Sequence, residues 1–202
     1  MNKIFVMPTM LNVQTEKLFR GLGYNIVQIP ELANAIVFTG GEDINPEIYK
    51  QKRCPYTYIS ESRDIFEIDT YTKFNNKLFI GICRGAQLLH ALKGGDLVQH
   101  INSEHGGYHT VKYGDEVVCV NSLHHQAIIK DSYMEVLMAQ DEPLSGIIFP
   151  KESDKEIEKE FYCVDMFKRE NVFGVQFHPE LMDIKQRAVE IFKIELEKFL
   201  GK

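Results

Sequence analysis

The sequence has no tryptophan, no closely spaced cysteines, no long apolar run and no cluster of basic residues. Its four cysteines form no Cys-x-x-Cys pair, which argues against a disulfide framework or a zinc knuckle. No apolar window approaches the roughly 18 residues that a membrane-spanning helix needs. The start of the chain lacks the apolar core and the cleavage site of a signal peptide. These absences predict a cytoplasmic protein without membrane contact.

The charge balance narrows the class of partner. Asp and Glu outnumber Lys and Arg by 29 to 23, and the net charge is −6. No basic stripe is present to bind a nucleic-acid backbone, so no nucleic-acid partner is expected. In the absence of tryptophan, 13 phenylalanines and 9 tyrosines supply the aromatic part of a core. The length of 202 residues predicts a single domain over 1–202.

Short apolar segments alternate with amphipathic ones through the first half of the chain. This βαβ rhythm predicts an α/β fold with a doubly wound, mostly parallel sheet. From about residue 97, short β-like stretches follow one another and predict added antiparallel strands. The predicted strands of the parallel part are 4–7, 24–29, 35–39 and 78–82, and the predicted helices are 14–22, 60–75, 85–93 and 183–200.

The charged residues of two segments are interpreted in structural terms, without a catalytic role. In the predicted helix 60–75, the apolar residues at helical spacing are Ile65, Phe66, Ile68 and Tyr71. Asp64 and Glu67 are interpreted as acids stabilised by the helix dipole. The segment 151–160 is predicted to be a solvated loop or hairpin tip, with a partner-docking surface as the alternative.

The pentapeptide Gly81-Ile82-Cys83-Arg84-Gly85 lies between a predicted strand and a predicted helix. The pattern G-x-C-x-G is the cysteine form of a nucleophile elbow, in which a strained turn holds the nucleophile above the sheet. The N-terminus of the following helix favours a thiolate there. The alternative is a buried cysteine that fills space at the end of a strand.

A base and its orienting carboxylate are found in His178-Pro179-Glu180, directly after an apolar run. Pro179 biases His178 toward extended backbone, in which residues two apart point the same way. Glu180 would then hold one imidazole nitrogen and leave the other for a nucleophile. A surface turn after a strand is the alternative.

Acyl transfer also needs preorganised N–H donors for an oxyanion. The pair Gly40-Gly41 follows a predicted buried strand, at the edge where doubly wound sheets bind ligands. One glycine N–H there and the N–H of Arg84 are candidates for this role. A glycine pair after a strand is also common in simple turns.

Taken together, these motifs resemble the class I glutamine amidotransferase-like superfamily, and most closely its γ-glutamyl-γ-aminobutyrate hydrolase and γ-glutamyl hydrolase (peptidase C26) family. The resemblance implies the flavodoxin-like fold of that superfamily, with Cys83 as nucleophile, His178 as base and Glu180 as its partner. It also places Gln87 near the glutamyl end of the substrate, and Gly41 with Arg84 at the oxyanion hole. Six ordered blocks carry it: TGGEDINPEIY (39–49), SRDIFE (62–67), IGICRGAQLL (80–89), GGDLVQHI (94–101), VNSLHHQAI (120–128) and FGVQFHPE (173–180).

Within the superfamily, Arg84 and the block GGEDINP favour the hydrolase branch. The chain departs from that branch at Phe177, where tryptophan is frequent, and in the compressed segment 134–148. These departures fall on the leaving-group side of the pocket and leave the departing amine open.

Four histidines lie close together in the sequence: His105, His109, His124 and His125. Their spacing matches no metal-ligand pattern, so no metal is expected. The segment NSLHHQAI is instead predicted to form the pocket wall above the elbow. Its candidate substrate-binding residues are Asn121, Ser122, His124 and His125, with simple loop hydrogen bonding as the alternative.

The leading functional hypothesis is hydrolysis of a γ-glutamyl amide bond through a γ-glutamyl thioester, with no metal or organic cofactor. The substrate is expected to be glutamine or a small γ-glutamyl-amine compound. The alternative is a glutaminase subunit that supplies ammonia to a separate synthetase. A non-catalytic binding relative is a distant third hypothesis, and a homo-oligomer stays open.

Overall fold

The computed structural model describes residues 2–102, 106–149 and 155–201. Within these ranges the chain forms four α-helices: α1 (Asn12–Gly21), α2 (Glu61–Lys73), α3 (Arg84–Leu92) and α4 (Arg187–Phe199). The same ranges contain fourteen strands: β1 (Lys3–Val6), β2 (Asn25–Ile26), β3 (Ala35–Phe38), β4 (Leu78–Ile82), β5 (Leu97–Val98), β6 (His100–Ile101), β7 (Gly107–Tyr113), β8 (Glu116–Ser122), β9 (Ala127–Ile128), β10 (Glu135–Ala139), β11 (Leu144–Ile148), β12 (Ile157–Phe161), β13 (Val164–Arg169) and β14 (Val172–Val175).

Nine of these strands form one sheet in the order β2-β1-β3-β4-β14-β13-β10-β7-β8. Its first five strands are mutually parallel, and the remaining ones pair antiparallel. β11 pairs with β12 and β6 in a small second sheet, and β5 pairs with β9. The predicted α/β fold, a parallel sheet extended by antiparallel strands, is confirmed.

The parallel half of the sheet is buried on both faces. All four residues of β3, Ala-Ile-Val-Phe, are buried, as expected for a strand that is covered by helices on both sides. On one face, Phe19 and Phe192, from α1 and α4, pack into one apolar cluster. On the other face, Leu88 of α3 packs into a second cluster with Phe38 and Phe79.

The register of the central strands brings three chain segments to one edge of the sheet. Phe38 of β3 pairs with Gly81 of β4, and Ile82 of β4 pairs with Val175 of β14. The segments that follow these three neighbouring strands therefore begin side by side, at the edge where parallel sheets bind ligands.

Two predicted elements differ from the structure. The predicted strand 24–29 is reduced to β2, and Pro30 starts a 3-10 turn (Pro30–Leu32) shortly after it. In the segment 151–160, residues 151–154 lie outside the described part, and Ile157 starts the strand β12. The prediction of a hairpin tip fits residues 155–156, which precede the Ile148–Ile157 pair, whereas 157–160 belong to β12, whose main chain pairs with β11 while its charged side chains stay exposed.

The inward face of α2 is only partly apolar: Ile68 and Tyr71 pack on the second cluster, beside two buried acids. The apolar pattern had indicated Ile65 and Phe66, but their exposed fractions are 61% and 47%. The side chains that α2 buries are those of Asp64 and Glu67. Their partner, described below, is a buried arginine.

No helix in the described ranges combines the length and the apolar character needed to cross a membrane.

The buried carboxylate of Glu195 fastens α4 to the antiparallel part of the sheet. It accepts hydrogen bonds from the Tyr113 hydroxyl at 2.7 Å and from Nζ of Lys168 at 2.6 Å, and Lys198 is a third donor. Burial raises the pKa of Glu195, but the bonds from Lys168, Lys198 and Tyr113 outweigh burial and lower it to about 2.

Replacing Glu195 with Gln is expected to lower the free energy of unfolding at pH 7 by about 2 kcal/mol. A carboxylate with a lowered pKa stabilises the fold above its unfolded-state pKa near 4.5, and this contribution is lost as the pH falls toward about 2. The difference between wild type and variant should therefore shrink by about half or more at pH 3. Urea unfolding at both pH values measures it.

The matched control is Glu190→Gln, which removes a carboxylate of the same helix that is half exposed in its pair with Arg187. This control should change stability by at most about 0.5 kcal/mol. An equal loss for Glu195→Gln at pH 7 and pH 3 would contradict the proposed ionic contribution.

Candidate active site

Cys83 sits at the turn between β4 and α3 in a conformation that is rare for a residue with a side chain. Its φ is 50° and its ψ is −110°. Its N–H donates to the carbonyl oxygen of Val175 in β14 at 2.7 Å, which fixes the turn to the neighbouring strand. A strained backbone held by its surroundings is typical of nucleophile elbows.

Both glycines of the G-x-C-x-G pattern are needed for close packing. A Cβ on Gly81 would lie 2.5 Å from the backbone of Ala86, and a Cβ on Gly85 would lie 2.2 Å from the carbonyl oxygen of Phe38. Such distances are shorter than van der Waals contact, so any other residue would push α3 away from the sheet. The two glycines thus hold Cys83 tightly against β3 and β4.

His178 lies between Cys83 and Glu180. Its Nδ1 is 2.7 Å from Oε1 of Glu180, and its ring lies near the Cys83 thiol, with which it interacts electrostatically. The His178 side chain is 4% exposed and that of Glu180 is fully buried. Burial lowers the pKa of His178, but the hydrogen bonds and charges of Cys83 and Glu180 outweigh burial and raise it to about 10.

The local backbone at His178 differs from the extended segment expected from the sequence. Pro179 begins a 3-10 turn, Pro179–Leu181, and this turn brings Glu180 back toward the imidazole ring. Asn121 fixes the turn, since its Oδ1 accepts from the N–H of His178 at 2.7 Å and its Nδ2 donates to the His178 carbonyl at 3.0 Å. In this structure Asn121 therefore contacts the main chain of the candidate base, and its predicted role toward a substrate stays a prediction.

The Gly40-Gly41 turn packs directly on the candidate base. A Cβ on Gly40 would lie 2.4 Å from Cε1 of His178. Gly41 is exposed and has a φ of 148°, which other residues rarely adopt. The predicted oxyanion turn, elbow and base thus meet at one edge of the sheet.

The side chain of Arg84 points away from the site and is buried beneath α2. It forms ion pairs with Asp64 and Glu67, and all three side chains are at most 5% exposed. At the oxyanion position Arg84 can therefore offer only its main-chain N–H. The dipole interpretation of Asp64 and Glu67 missed this role. The available signal was the spacing that places Asp64 and Glu67 on the same helix face as Ile68 and Tyr71, which pack on the second apolar cluster.

Two glutamines lie beneath the elbow. Nε2 of Gln176 lies 3.8 Å from Sγ of Cys83, and Oε1 of Gln176 accepts from Nε2 of Gln87 at 3.4 Å. Gln87 also donates to the carbonyl of Gln126. Gln176 was not predicted from the sequence, although it lies two residues before His178 and so shares its side of the extended chain.

A cavity of about 260 Å³ has Ser122, His124 and His109 among the residues that line it, and no triad residue is among them. Asn121, the neighbour of Ser122 in the chain, binds the His178 main chain. His125 does not line this cavity; its Nε2 lies 3.0 Å from Oδ2 of Asp43. His105 lies outside the described residues.

His124 is buried and its protonation pattern can be assigned. Burial lowers the pKa of His124 to about 4, so the ring is neutral near pH 7. Nδ1 lies 2.8 Å from the Gln126 carbonyl, which can only accept, so Nδ1 carries the proton. Nε2 is then an acceptor, and it has no hydrogen-bond partner among the described residues.

Within residues 2–102, 106–149 and 155–201, no group of three or more His, Cys, Asp or Glu side chains has the arrangement of a metal site.

A family model described as Peptidase C26 matches residues 21–115. This span contains the Gly40-Gly41 turn and the elbow, and it ends before His178.

Curated relatives carry glutamine amidotransferase names. A glutamine amidotransferase-like protein of Rickettsia prowazekii (strain Madrid E) is 40% identical over 98 residues, which cover 46% of this chain and 35% of that protein. The glutamine amidotransferase-like protein YvdE homolog of Lactococcus lactis subsp. cremoris is 30% identical, over 56% of this chain and 79% of that protein. A glutamine-hydrolyzing GMP synthase chain of Sulfurisphaera tokodaii, named as one of the subunits of that enzyme, is 25% identical, over 89% and 95% of the two chains.

Solved structures share the fold. A glutamine amidotransferase from Thermotoga maritima superposes with a TM-score of 0.58 at 18% identity, covering 97% of this chain and 84% of that one.

Proposed function

The chain belongs to the class I glutamine amidotransferase superfamily and its peptidase C26 family, and from this we propose that it hydrolyses γ-glutamyl amide bonds with a Cys83-His178-Glu180 triad. The observation that carries the proposal is the position of His178, buried between the Cys83 thiol and the Glu180 carboxylate. A base placed between a nucleophile and an orienting carboxylate is the arrangement that covalent acyl transfer requires.

In the first half of the reaction, the Cys83 thiolate attacks the γ-carbonyl carbon of the substrate. The raised pKa of His178 favours an imidazolium beside this thiolate. The developing oxyanion accepts hydrogen bonds from the main-chain N–H groups of Gly41 and Arg84. As the carbon–nitrogen bond breaks, His178 gives its proton to the departing amine and a γ-glutamyl thioester remains on Cys83.

In the second half, neutral His178 takes a proton from a water molecule, whose oxygen attacks the thioester carbon. The carbon–sulfur bond then breaks, glutamate leaves, and the imidazolium–thiolate pair is restored. Throughout, Glu180 holds Nδ1 of His178 and so keeps the other ring nitrogen directed toward Cys83.

The cavity lined by Ser122 and His124 supports a small polar substrate. Neutral His124 offers an acceptor nitrogen without a protein partner among the described residues, and we propose that it receives an N–H group of the glutamyl moiety. Ser122 contributes a hydroxyl to the same wall. We also propose that Gln87, Asn121 and His125 contact the substrate, as the sequence predicted.

The purified chain alone is expected to release glutamate from a γ-glutamyl amine compound with a kcat on the order of 1 to 10 per second. The experiment compares glutamine, γ-glutamyl-γ-aminobutyrate and γ-glutamyl anilide, with Cys83→Ala as the blank. If no substrate is cleaved faster than by the blank, the proposed function is wrong.

A second candidate is a glutaminase subunit that supplies ammonia to a synthetase. The observation that favours it is the relative named as a GMP synthase subunit, of which this chain covers 95%. In that case the purified chain should cleave glutamine, slowly, and none of the larger substrates. Addition of a synthetase chain should raise the rate of glutamine cleavage at least about tenfold. Fast cleavage of the larger substrates without a partner would contradict this candidate.

A further inference from the structure

Arg63 on α2 holds the Gly40-Gly41 turn through hydrogen bonds to main-chain carbonyl oxygens. Its Nη2 donates to the carbonyl oxygen of Thr39 at 3.0 Å and to that of Gly40 at 2.9 Å. These two bonds use both hydrogens of one guanidinium nitrogen. From this geometry we infer that Arg63 is a positioning residue, which orients the Gly40–Gly41 peptide so that the oxyanion hole is formed before substrate arrives. The inference rests on the proposed hydrolase function.

Because the peptide bond is planar, a hydrogen bond that holds the Gly40 carbonyl oxygen also fixes the direction of the Gly41 N–H. In a trans peptide the C=O of one residue and the N–H of the next point in opposite directions. Because Arg63 holds the Gly40 oxygen on the α2 side, the N–H of Gly41 must point away from α2. Gly40 packs on the His178 ring, so this peptide unit borders the catalytic side chains. An N–H donor fixed in advance is what oxyanion stabilisation requires.

Arg63 is itself held by a carboxylate that also holds the elbow. Nε of Arg63 donates to Oε1 of Glu67 at 3.0 Å, and the second oxygen of Glu67 pairs with Arg84. The Glu67 side chain is fully buried. The main-chain N–H of Arg84 is the other proposed oxyanion donor. One buried carboxylate therefore links the supports of both donors.

The fork shape of the guanidinium is essential to this arrangement. A Cβ on Gly41 would lie 2.0 Å from Nη1 of Arg63, so the turn lies directly against the guanidinium. A lysine would keep the charge beside Glu67, but its point-like ammonium cannot reproduce the planar set of donors to Glu67, Thr39 and Gly40. All three of these contacts come from within the chain.

The test is Arg63→Lys in the full chain, with γ-glutamyl anilide as substrate. We expect kcat to fall about 10- to 100-fold while KM changes less than about threefold, because the lost alignment matters in the transition state. The rate of alkylation of Cys83 by iodoacetamide, read by peptide mass, should stay within about twofold, since that reaction uses the thiolate and needs no oxyanion hole.

Glu42→Gln is the matched control. Glu42 is an exposed partner of the same guanidinium, at 3.0 Å from Nη1, and its loss leaves the carbonyl contacts in place. Its kcat should stay within about threefold of wild type.

The positioning role would be wrong if kcat of Arg63→Lys were unchanged, or if Glu42→Gln lost as much kcat as Arg63→Lys. It would also be wrong if the alkylation rate of Cys83 in Arg63→Lys fell as much as kcat. In each case the activity of the wild type would still uphold the hydrolase. A wild type that cleaves no γ-glutamyl substrate overturns the hydrolase proposal, and the positioning role with it.

Discussion

Replacing Cys83 with Ala is expected to abolish cleavage of every γ-glutamyl substrate, with a loss of about 10⁴-fold or more in kcat. Without the thiolate no thioester can form, and the remaining groups can only assist direct attack by water. Alanine keeps the elbow intact, because the rare backbone conformation of Cys83 belongs to a residue that already has a Cβ. Glutamate release over hours at high enzyme concentration measures the residual rate.

Cys119 offers a control for this experiment. It is an exposed cysteine on β8, so Cys119→Ala should keep full activity and stability. Both variants should melt within a few degrees of wild type. Residual activity of more than a few per cent in Cys83→Ala would remove Cys83 from the mechanism.

The same variant reports on the base. Cys83 is one of the two side chains that raise the pKa of His178 to about 10. In Cys83→Ala burial still lowers this pKa, and only Glu180 opposes it, so the pKa should fall. NMR titration of the imidazole measures the change. An unchanged pKa would mean that the thiol and the imidazole do not interact as the structure describes.

Replacing Gly40 with Ala is expected to lower kcat/KM by at least about 100-fold. The new methyl group would lie 2.4 Å from Cε1 of His178, which is shorter than any van der Waals contact. His178 is confined by Glu180 and Asn121, so either the ring leaves its hydrogen bonds or the glycine turn moves away. Both outcomes misalign the proposed machinery. The strain should also cost about 1 to 3 kcal/mol of stability.

Gly21→Ala separates this steric effect from a general effect of adding a methyl group. Gly21 ends α1, and its new Cβ would meet only the flexible end of Ile184, at 3.1 Å. Activity of this control should be within about twofold of wild type. Wild-type kcat/KM in Gly40→Ala would show that the turn and the base are less tightly packed than described.

Features that depend on neighbouring residues in the chain were readable from the sequence. The G-x-C-x-G pattern predicts the elbow because it is a local signature of the strand–turn–helix unit, within which Gly81 meets the backbone of Ala86. The burial of β3 follows from its unbroken apolar run. The proximity of His178 and Glu180 was also anticipated, although a 3-10 turn at Pro179 brings them together rather than an extended strand.

Features that depend on distant residues were not readable. The apolar pattern of α2 is right for Ile68 and Tyr71, which pack on the core, but wrong for Ile65 and Phe66. The helix turns Asp64 and Glu67 inward because Arg84 lies beneath it. The partner of these acids lies about twenty residues further along the chain, and nothing in a single sequence pairs them. The strand β12 was missed for a related reason. Its pairing is a property of β11, whereas its own side chains resemble those of a solvated loop.

The ion pairs beneath the elbow also constrain how this sequence can change. Arg63, Asp64, Glu67 and Arg84 carry two positive and two negative charges, so the group is neutral as a whole. Loss of any one member leaves an unmatched charge in the interior, at a cost of about 3 to 5 kcal/mol, whereas replacement of a whole buried set by apolar residues can be nearly neutral. A variant that lacks only one of these four side chains is therefore expected to be less stable than either the wild type or a variant in which the whole set is apolar. A single substitution at any of these four positions is therefore expected to destabilise the fold more than a substitution at an exposed position of α2.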